Sequence, residues 1–295
     1  MNALIDQHRD AYGVEPICKV LRIAPSTYWL HATRRADPSQ RSARSRRDEH
    51  LCGEVQRIWE ENFRVYGADK VWRPWRREGL NVARCTVERL MRRLGLQGVR
   101  RGKSVKTTVS DRNAPCPLDR VNRQFVADRP NALWVADFTD VSTEQGFVYV
   151  AFIIDVFARS IVGWKVSRSA RADFVLDALE QALAARKSLI HHSDREVQYL
   201  SIRYTERLAE ADVEPSVGSV GDSYDHALAE TINGMCKAEV IHRQSWKNLE
   251  AVELATLTWV DWFNHRRLLE PIGYIPPVEA EAAYYRRLTE SAMAA

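Results

Sequence analysis

The sequence predicts an α/β fold: a mixed sheet with helices packed on it, preceded by a small all-α region. Three observations lead there. Residues 14–97 carry apolar side chains at helical spacing. Three consecutive β-rich apolar runs follow between about 130 and 167. Helical segments then alternate with short apolar strands as far as about 241.

In chain order, VEPICKVLRIAPSTYWLH (14–31) reads as helix, turn, helix, with Val14, Ile17, Val20 and Leu21 on one face and Ser26 as an N-cap after Pro25. A helix-turn-helix and a helical hairpin with no DNA role share this pattern, and both readings stay open. RRADPSQRSARSRR (34–47) lacks large apolar residues and reads as a basic linker or DNA-contacting strap. Three further helices are predicted in EHLCGEVQRIWEEN, GADKVWRPWRREG and VARCTVERLMRRLG, with Pro74 expected to kink the second. The last buries Val82, Val87, Leu90, Met91 and Leu94 and turns Arg84, Arg89, Arg92 and Arg93 outward, as a helix entering the major groove does. Residues 98–125 read as a polar, basic linker. LWVADFTDVS, FVYVAFIIDVF and SIVGWKVS read as strands, then ADFVLDALEQALAARK as a helix, SLIHHSD as a strand, VQYLSIRYTERLAEAD as a helix, VEPSV as a strand and ALAETINGMCKAEVI as a helix. The predicted units are 1–47 (helical hairpin and basic linker), 48–97 (helix-turn-helix), 98–125 (linker), 126–241 (mixed α/β unit) and 242–295 (helical extension).

Composition narrows the function. The chain has 295 residues, 45% of them apolar, and no run approaches the roughly 20 apolar residues of a membrane span. No signal pattern opens it, so a soluble cytoplasmic protein is expected. The five cysteines (18, 52, 85, 116, 236) form no C-x-x-C and no zinc-finger spacing, and read as scattered reduced thiols. His191 and His192, consecutive on a strand, point to opposite faces, so at most one faces a common ion. Residues 1–120 hold 25 Lys and Arg against 14 Asp and Glu; residues 121–295 hold 18 against 25. A basic front and an acidic body suggest an arm for a polyanion joined to carboxylate chemistry.

The acids that interrupt apolar runs carry that chemistry. Alternation puts Leu133, Val135, Asp137 and Thr139 on one face of a strand and Trp134, Ala136, Phe138 and Asp140 on the other. A carboxylate in mid-strand needs a compensating partner, and a metal ion is the obvious one. Asp140 and Asp155 read as ordinary strand-end acids facing water. Asp194 ends SLIHHSD, and sites in open sheets gather beyond the carboxyl ends of strands. Glu230 lies on the helix ALAETINGMCK, with Ala227, Asn233, Gly234 and Lys237 on its side. Three carboxylates suit two Mg²⁺ or Mn²⁺ ions, which roughly 3.5–4 Å apart clamp an in-line displacement at phosphorus.

These words together resemble the OrfB-type transposases of bacterial insertion sequences of the IS3 family, relatives of the retroviral integrases. The likeness rests on LWVADFTDVST, YVAFIIDVFARSIVGWKVS, LIHHSDREVQYLS, SVGSVGDSYDHALAETINGMCKAEV and WVDWFNHRRLLEPIGYIPPVEA, and on the 35 residues between Asp194 and Glu230. It spans essentially the whole chain, and residues 50–97 look like the family's helix-turn-helix. The resemblance implies an RNase H-like core and a metal-binding catalytic triad of Asp137, Asp194 and Glu230. It implies that Lys237 contacts the element's end, and that the protein cleaves and transfers strands at terminal inverted repeats into target DNA. OrfA, often fused by frameshifting, is the implied partner, and a homo-oligomer on DNA is expected. Two departures flank the triad: Glu196 where the family has Gly, and His226 where it has Asn. A catalytically decayed, DNA-binding regulator is the rival reading. An RNase H-type nuclease is a weaker one. The zinc module of retroviral integrases has no counterpart in the N-terminal part.

Overall fold

The computed structural model describes residues 1–100, 102, 126–184, 189–193, 198–199, 201–217 and 227–294. Six helices come first: α1 (Asn2–Tyr12), α2 (Val14–Leu21), α3 (Pro25–Ala36), α4 (Ala43–Glu61), α5 (Ala68–Arg77) and α6 (Arg84–Leu94). Strands β1 (Leu133–Thr143), β2 (Gly146–Asp155) and β3 (Ile161–Ser167) follow. Then come α7 (Ala172–Leu183), β4 (Leu189–Ser193), α8 (Ile202–Glu210), β5 (Val213–Val217), α9 (Ala227–Glu239), α10 (Leu249–His265) and α11 (Pro277–Ala294).

The five strands form one sheet in the order β3-β2-β1-β4-β5. β1, β2 and β3 are an antiparallel meander, and β4 and β5 run parallel to β1. This is the RNase H-like mixed sheet expected. The β1–β2 turn needs Gly146 at φ 110°, a conformation that L side chains rarely adopt. The alternation read along β1 holds. Leu133, Val135 and Val141 join the core shared with α9 and α10, whereas Trp134 and Ala136 join the core under α7 and α8. α7 lies close on β3 because residue 163 is glycine; a methyl group there would collide with the Ala178 carbonyl. At the edge strand β3, the Asn264 side chain of α10 both accepts from the Ile161 N–H and donates to its carbonyl, at 2.9 Å each.

Two expectations need correction. Residues 34–47 are not a linker: α3 runs to Ala36, and α4 starts at Ala43 behind a Ser42 side chain that accepts the Ser45 N–H at 3.2 Å. Arginine is a good helix former and Ser42 a good cap, so a stretch without apolar residues still enters the helix. Pro74 lies inside α5, where the sequence put it. Asp155 does not face water. It is 0% exposed and accepts the N–H groups of Asn131 and Ala158 at 2.8 and 2.9 Å, closing the turn after β2 and fixing the entry to β1. The part of the expected 98–125 linker from 103 onward lies outside the described residues.

Helices α4–α6 share one hydrophobic core with α9, α10 and the β1 face. Polar contacts reinforce this junction. The Leu268 N–H donates to Tyr66 Oη at 2.8 Å, and Trp262 Nε1 donates to Asn62 Oδ1 at 3.1 Å. Arg267, almost fully buried, pairs with Glu239 at 2.6 Å and lies over the rings of Trp262 and Phe263. Breaking such a pair on one side leaves a buried charge and costs about 3–5 kcal/mol. α1–α3 have their own small core of Ile5, Cys18 and Tyr28.

Lys70 borders this junction, where burial, then the charge of Arg267, lowers its pKa from 10.5 to about 8. The folded state therefore gives up this proton before the unfolded state does. Below about 8 both states carry the charge, and the folded state bears its full cost; between about 8 and 10.5 that cost fades. A Lys70→Met variant should melt higher than the wild type at pH 7, with the gap narrowing as the pH rises through that window. Parallel melting curves at all pH values would contradict this.

Candidate active site

Asp137 is the fifth residue of β1 and is only partly exposed. One carboxylate oxygen accepts the Phe138 N–H at 2.8 Å, and the other accepts Asn233 Nδ2 at 2.8 Å. The second bond ties the strand to α9. Ala229, Ile232 and Cys236 of α9 are buried in the core against the sheet. Glu230, Asn233 and Lys237, at spacings of three and four, therefore line an adjacent side of the helix. Glu230 is exposed in the first turn of α9, where the helix dipole favours a negative charge. Lys237 Nζ lies 3.3 Å from Asp140 Oδ1. α9 thus follows β1, with Asn233 at Asp137 and Lys237 at Asp140.

Asn233 is the residue that sequence reasoning missed. It was counted among the neighbours of Glu230 and given no role. Its signal was an amide one turn from an acid. Its Oδ1 is buried with no hydrogen-bond partner among the described residues. Asn233 meets Asp137 through its Nδ2, so it orients that carboxylate, and carboxylate oxygens suit a hard divalent cation. Among the described residues no three His, Cys, Asp or Glu side chains converge on one point. Asp194, like Glu196 and His226, lies outside them. β4 ends at Ser193, the residue before Asp194, on the strand that pairs with the one carrying Asp137.

The two histidines diverge as alternation requires. His191 Nε2 meets Tyr204 Oη of α8 at 3.1 Å, and His192 Nδ1 meets Ser216 Oγ of β5 at 2.9 Å. Both are buried structural groups.

On α6, Arg84 and Arg93 are exposed, and Arg92, 77% exposed, pairs with Glu88 at 3.4 Å. Arg89 differs. Its guanidinium grips both oxygens of Asp48 at 3.0 and 2.8 Å, fastening α6 to α4 and holding that carboxyl below its usual range.

Three family models match this chain. Two models described as integrase core domain match residues 127–223 and 211–277, and one described as HTH-like domain matches residues 46–104. The transposase for insertion sequence element IS629 of Shigella sonnei is 61% identical over 297 residues, covering 100% of both chains. A putative transposase for insertion sequence element IS986/IS6110 of Mycobacterium tuberculosis is 54% identical, covering 89% of this chain and 96% of its own. Transposase InsF for insertion sequence IS3A of Escherichia coli is 27% identical, covering 94% and 96%.

Burial, then neighbouring His192, lowers the pKa of His191 from 6.5 to about 3. As the pH falls below 6.5 the unfolded chain takes up a proton that the folded one refuses, so this stability is present above 6.5 and lost towards about 3. His191→Gln keeps a partner for Tyr204 but cannot titrate. Its urea midpoint should fall less between pH 7 and pH 5 than that of the wild type, and an equal fall would contradict the assignment.

Proposed function

The chain belongs to the IS3 family of insertion-sequence transposases and is a DNA transposase; on that premise we propose that Asp137, Asp194 and Glu230 hold divalent metal ions, two Mg²⁺ or Mn²⁺, for cleavage and strand transfer at the element's terminal inverted repeats. The observation that carries this is the Asn233–Asp137 bond, which sets the helix bearing Glu230 against the strand bearing Asp137. Bound there, the cations supply Lewis-acid stabilisation of the attacking and leaving oxygens at phosphorus.

The protein's own groups do the rest. The Phe138 N–H and the Asn233 amide fix the orientation of the Asp137 carboxylate, so its lone pairs need no rearrangement when charge arrives. Glu230, exposed at the start of α9, faces the side from which a DNA strand approaches. Lys237 exchanges Asp140 for a phosphate of the element's end, a swap of one charge-assisted contact for another. Residues 48–97 bind DNA, with Arg84, Arg92 and Arg93 on the phosphate backbone and Arg89, committed to Asp48, positioning the helix that carries them. Residues 126–241 are the catalytic unit, flanked by 1–47, the 98–125 linker and 242–295. The protein works in the bacterial cytoplasm as a homo-oligomer on DNA, with OrfA or as its fusion.

Strand transfer from a duplex carrying the terminal repeat, with Mg²⁺ or Mn²⁺, tests the triad. Asp137→Asn, Asp194→Asn and Glu230→Gln each abolish product while DNA binding persists, and Asn233→Ala weakens Mn²⁺ binding about 10–100-fold. Product from any of the three variants would remove that residue from the triad. A wild type as inactive as the variants with both metals would favour the regulator reading, in which Glu196 and His226 have spoiled the site.

A further inference from the structure

The three N-terminal helices lie outside the matched HTH-like region, which begins at residue 46. They form a unit with its own core, in which Val14, Ile17, Leu21 and Ile23 pack on Ile5, Cys18 and Tyr28. α2 ends at Leu21 and α3 begins at Pro25, leaving a three-residue turn. Arg22 takes the left-handed conformation (φ 54°, ψ 44°), and the Ile23 N–H returns to the Cys18 carbonyl at 3.0 Å, so the chain reverses sharply into α3. A turn of this length is the kind that joins the two helices of a helix-turn-helix.

The inner side of α3 is held firmly. Tyr28 is buried and its hydroxyl donates to Asp6 at 2.8 Å; Arg35 grips the same carboxylate at 2.7 and 3.1 Å. The outer side is left open: Ser26, Thr27, Trp29, Leu30, His31, Thr33 and Arg34 are exposed. Trp29 and Leu30 are about half exposed, at 52% and 51%, in the first two turns. Charge selects the occupant. From Lys19 to Arg47 the chain carries eight basic residues and a single acid, Asp37. Arg35 and Arg41 are paired with Asp6 and Glu49. Lys19, Arg22, Arg34, Arg44, Arg46 and Arg47 are exposed at the two ends of α3 and on the first turns of α4.

We propose that residues 2–36 are a second DNA-reading module, with α3 as its recognition helix in a major groove. The flanking arginines hold phosphates, and the first two turns of α3 meet base edges. Ser26 and Thr27 serve as hydrogen-bonding groups there, and Leu30 as an apolar contact of the kind that reads a thymine methyl. The transposase then grips each element end at two separate places, through α3 and through α6. The α3 contact supplies sequence discrimination that the phosphate-directed arginines of α6 cannot.

Hydroxyl-radical footprinting of the full chain on a duplex bearing the terminal repeat and its flank tests this. The wild type protects two separate patches. Leu30→Ala with Arg34→Glu erases one patch and lowers affinity about tenfold or more relative to a scrambled duplex. Arg93→Glu erases the other patch and leaves the first. All these side chains are exposed, and circular dichroism checks that each variant folds. Loss of affinity that is equal for repeat and scrambled duplexes, with both patches kept, overturns the recognition role. An unchanged footprint and affinity overturns DNA contact altogether and leaves the α3 face to a protein partner. Neither outcome touches the catalytic reading, which is scored by strand transfer.

Discussion

The side-chain bond between Asn233 and Asp137 sets the relation between the two halves of the site. A mid-strand carboxylate needs compensating donors, and here one of them comes from a helix that crosses the sheet face. Once that bond fixes the position of α9, the helical repeat decides the rest. Glu230 falls one turn before the contact and Lys237 one turn after it, beside Asp140. The far end of α9 is held as well: Glu239 accepts Trp259 Nε1 at 3.0 Å and pairs with Arg267. A helix pinned at both places cannot slide along the strand, and a metal site built on side chains from two elements needs that rigidity.

The same anchoring reaches the HTH-like region. Arg267 is followed at once by Leu268, whose N–H rests on Tyr66, and Trp262 touches both Phe63 and Tyr66. One hydrophobic core therefore runs from α4–α6 through α10 to the sheet, so the arginines of α6 and the acids of the sheet belong to one packed body. The C-terminal helices join these regions: α10 shields the edge strand β3 through Asn264, and Arg77 of α5 bonds to Glu279 of α11 at 2.7 Å. The α1–α3 unit, with a separate core, is the part built as an attachment.

Much of this was legible in the residues because it is periodic. Alternation along LWVADFTDV assigned both faces of β1 correctly, and helical spacing located α5, α6, α7 and α9 to within a few residues but missed the first six residues of α4. What escaped was pairing between residues far apart in the chain. Asp137 announced its need for a partner but not that Asn233 supplies one, and Arg267, Glu239, Arg89 and Asp48 look like ordinary surface groups in their own segments. Asp155 looked like a strand-end acid because nothing local says that the turn following it, and Asn131 before β1, aim their N–H groups at it. The basic 34–47 stretch looked like a linker because its helical part lacks an apolar stripe: its helix is set by a cap and by propensity. Asp194 was read from its motif, and it lies outside the described residues.

In the proposed function, α9 delivers Glu230 to a metal shared with Asp137. Anomalous diffraction from crystals of the full chain grown with Mn²⁺ tests it most directly. Anomalous density bounded by the Asp137 and Glu230 carboxylates is expected, with Asn233 still bonded to Asp137. Mn²⁺ bound elsewhere, or a Glu230 carboxylate turned away from β1, would contradict it.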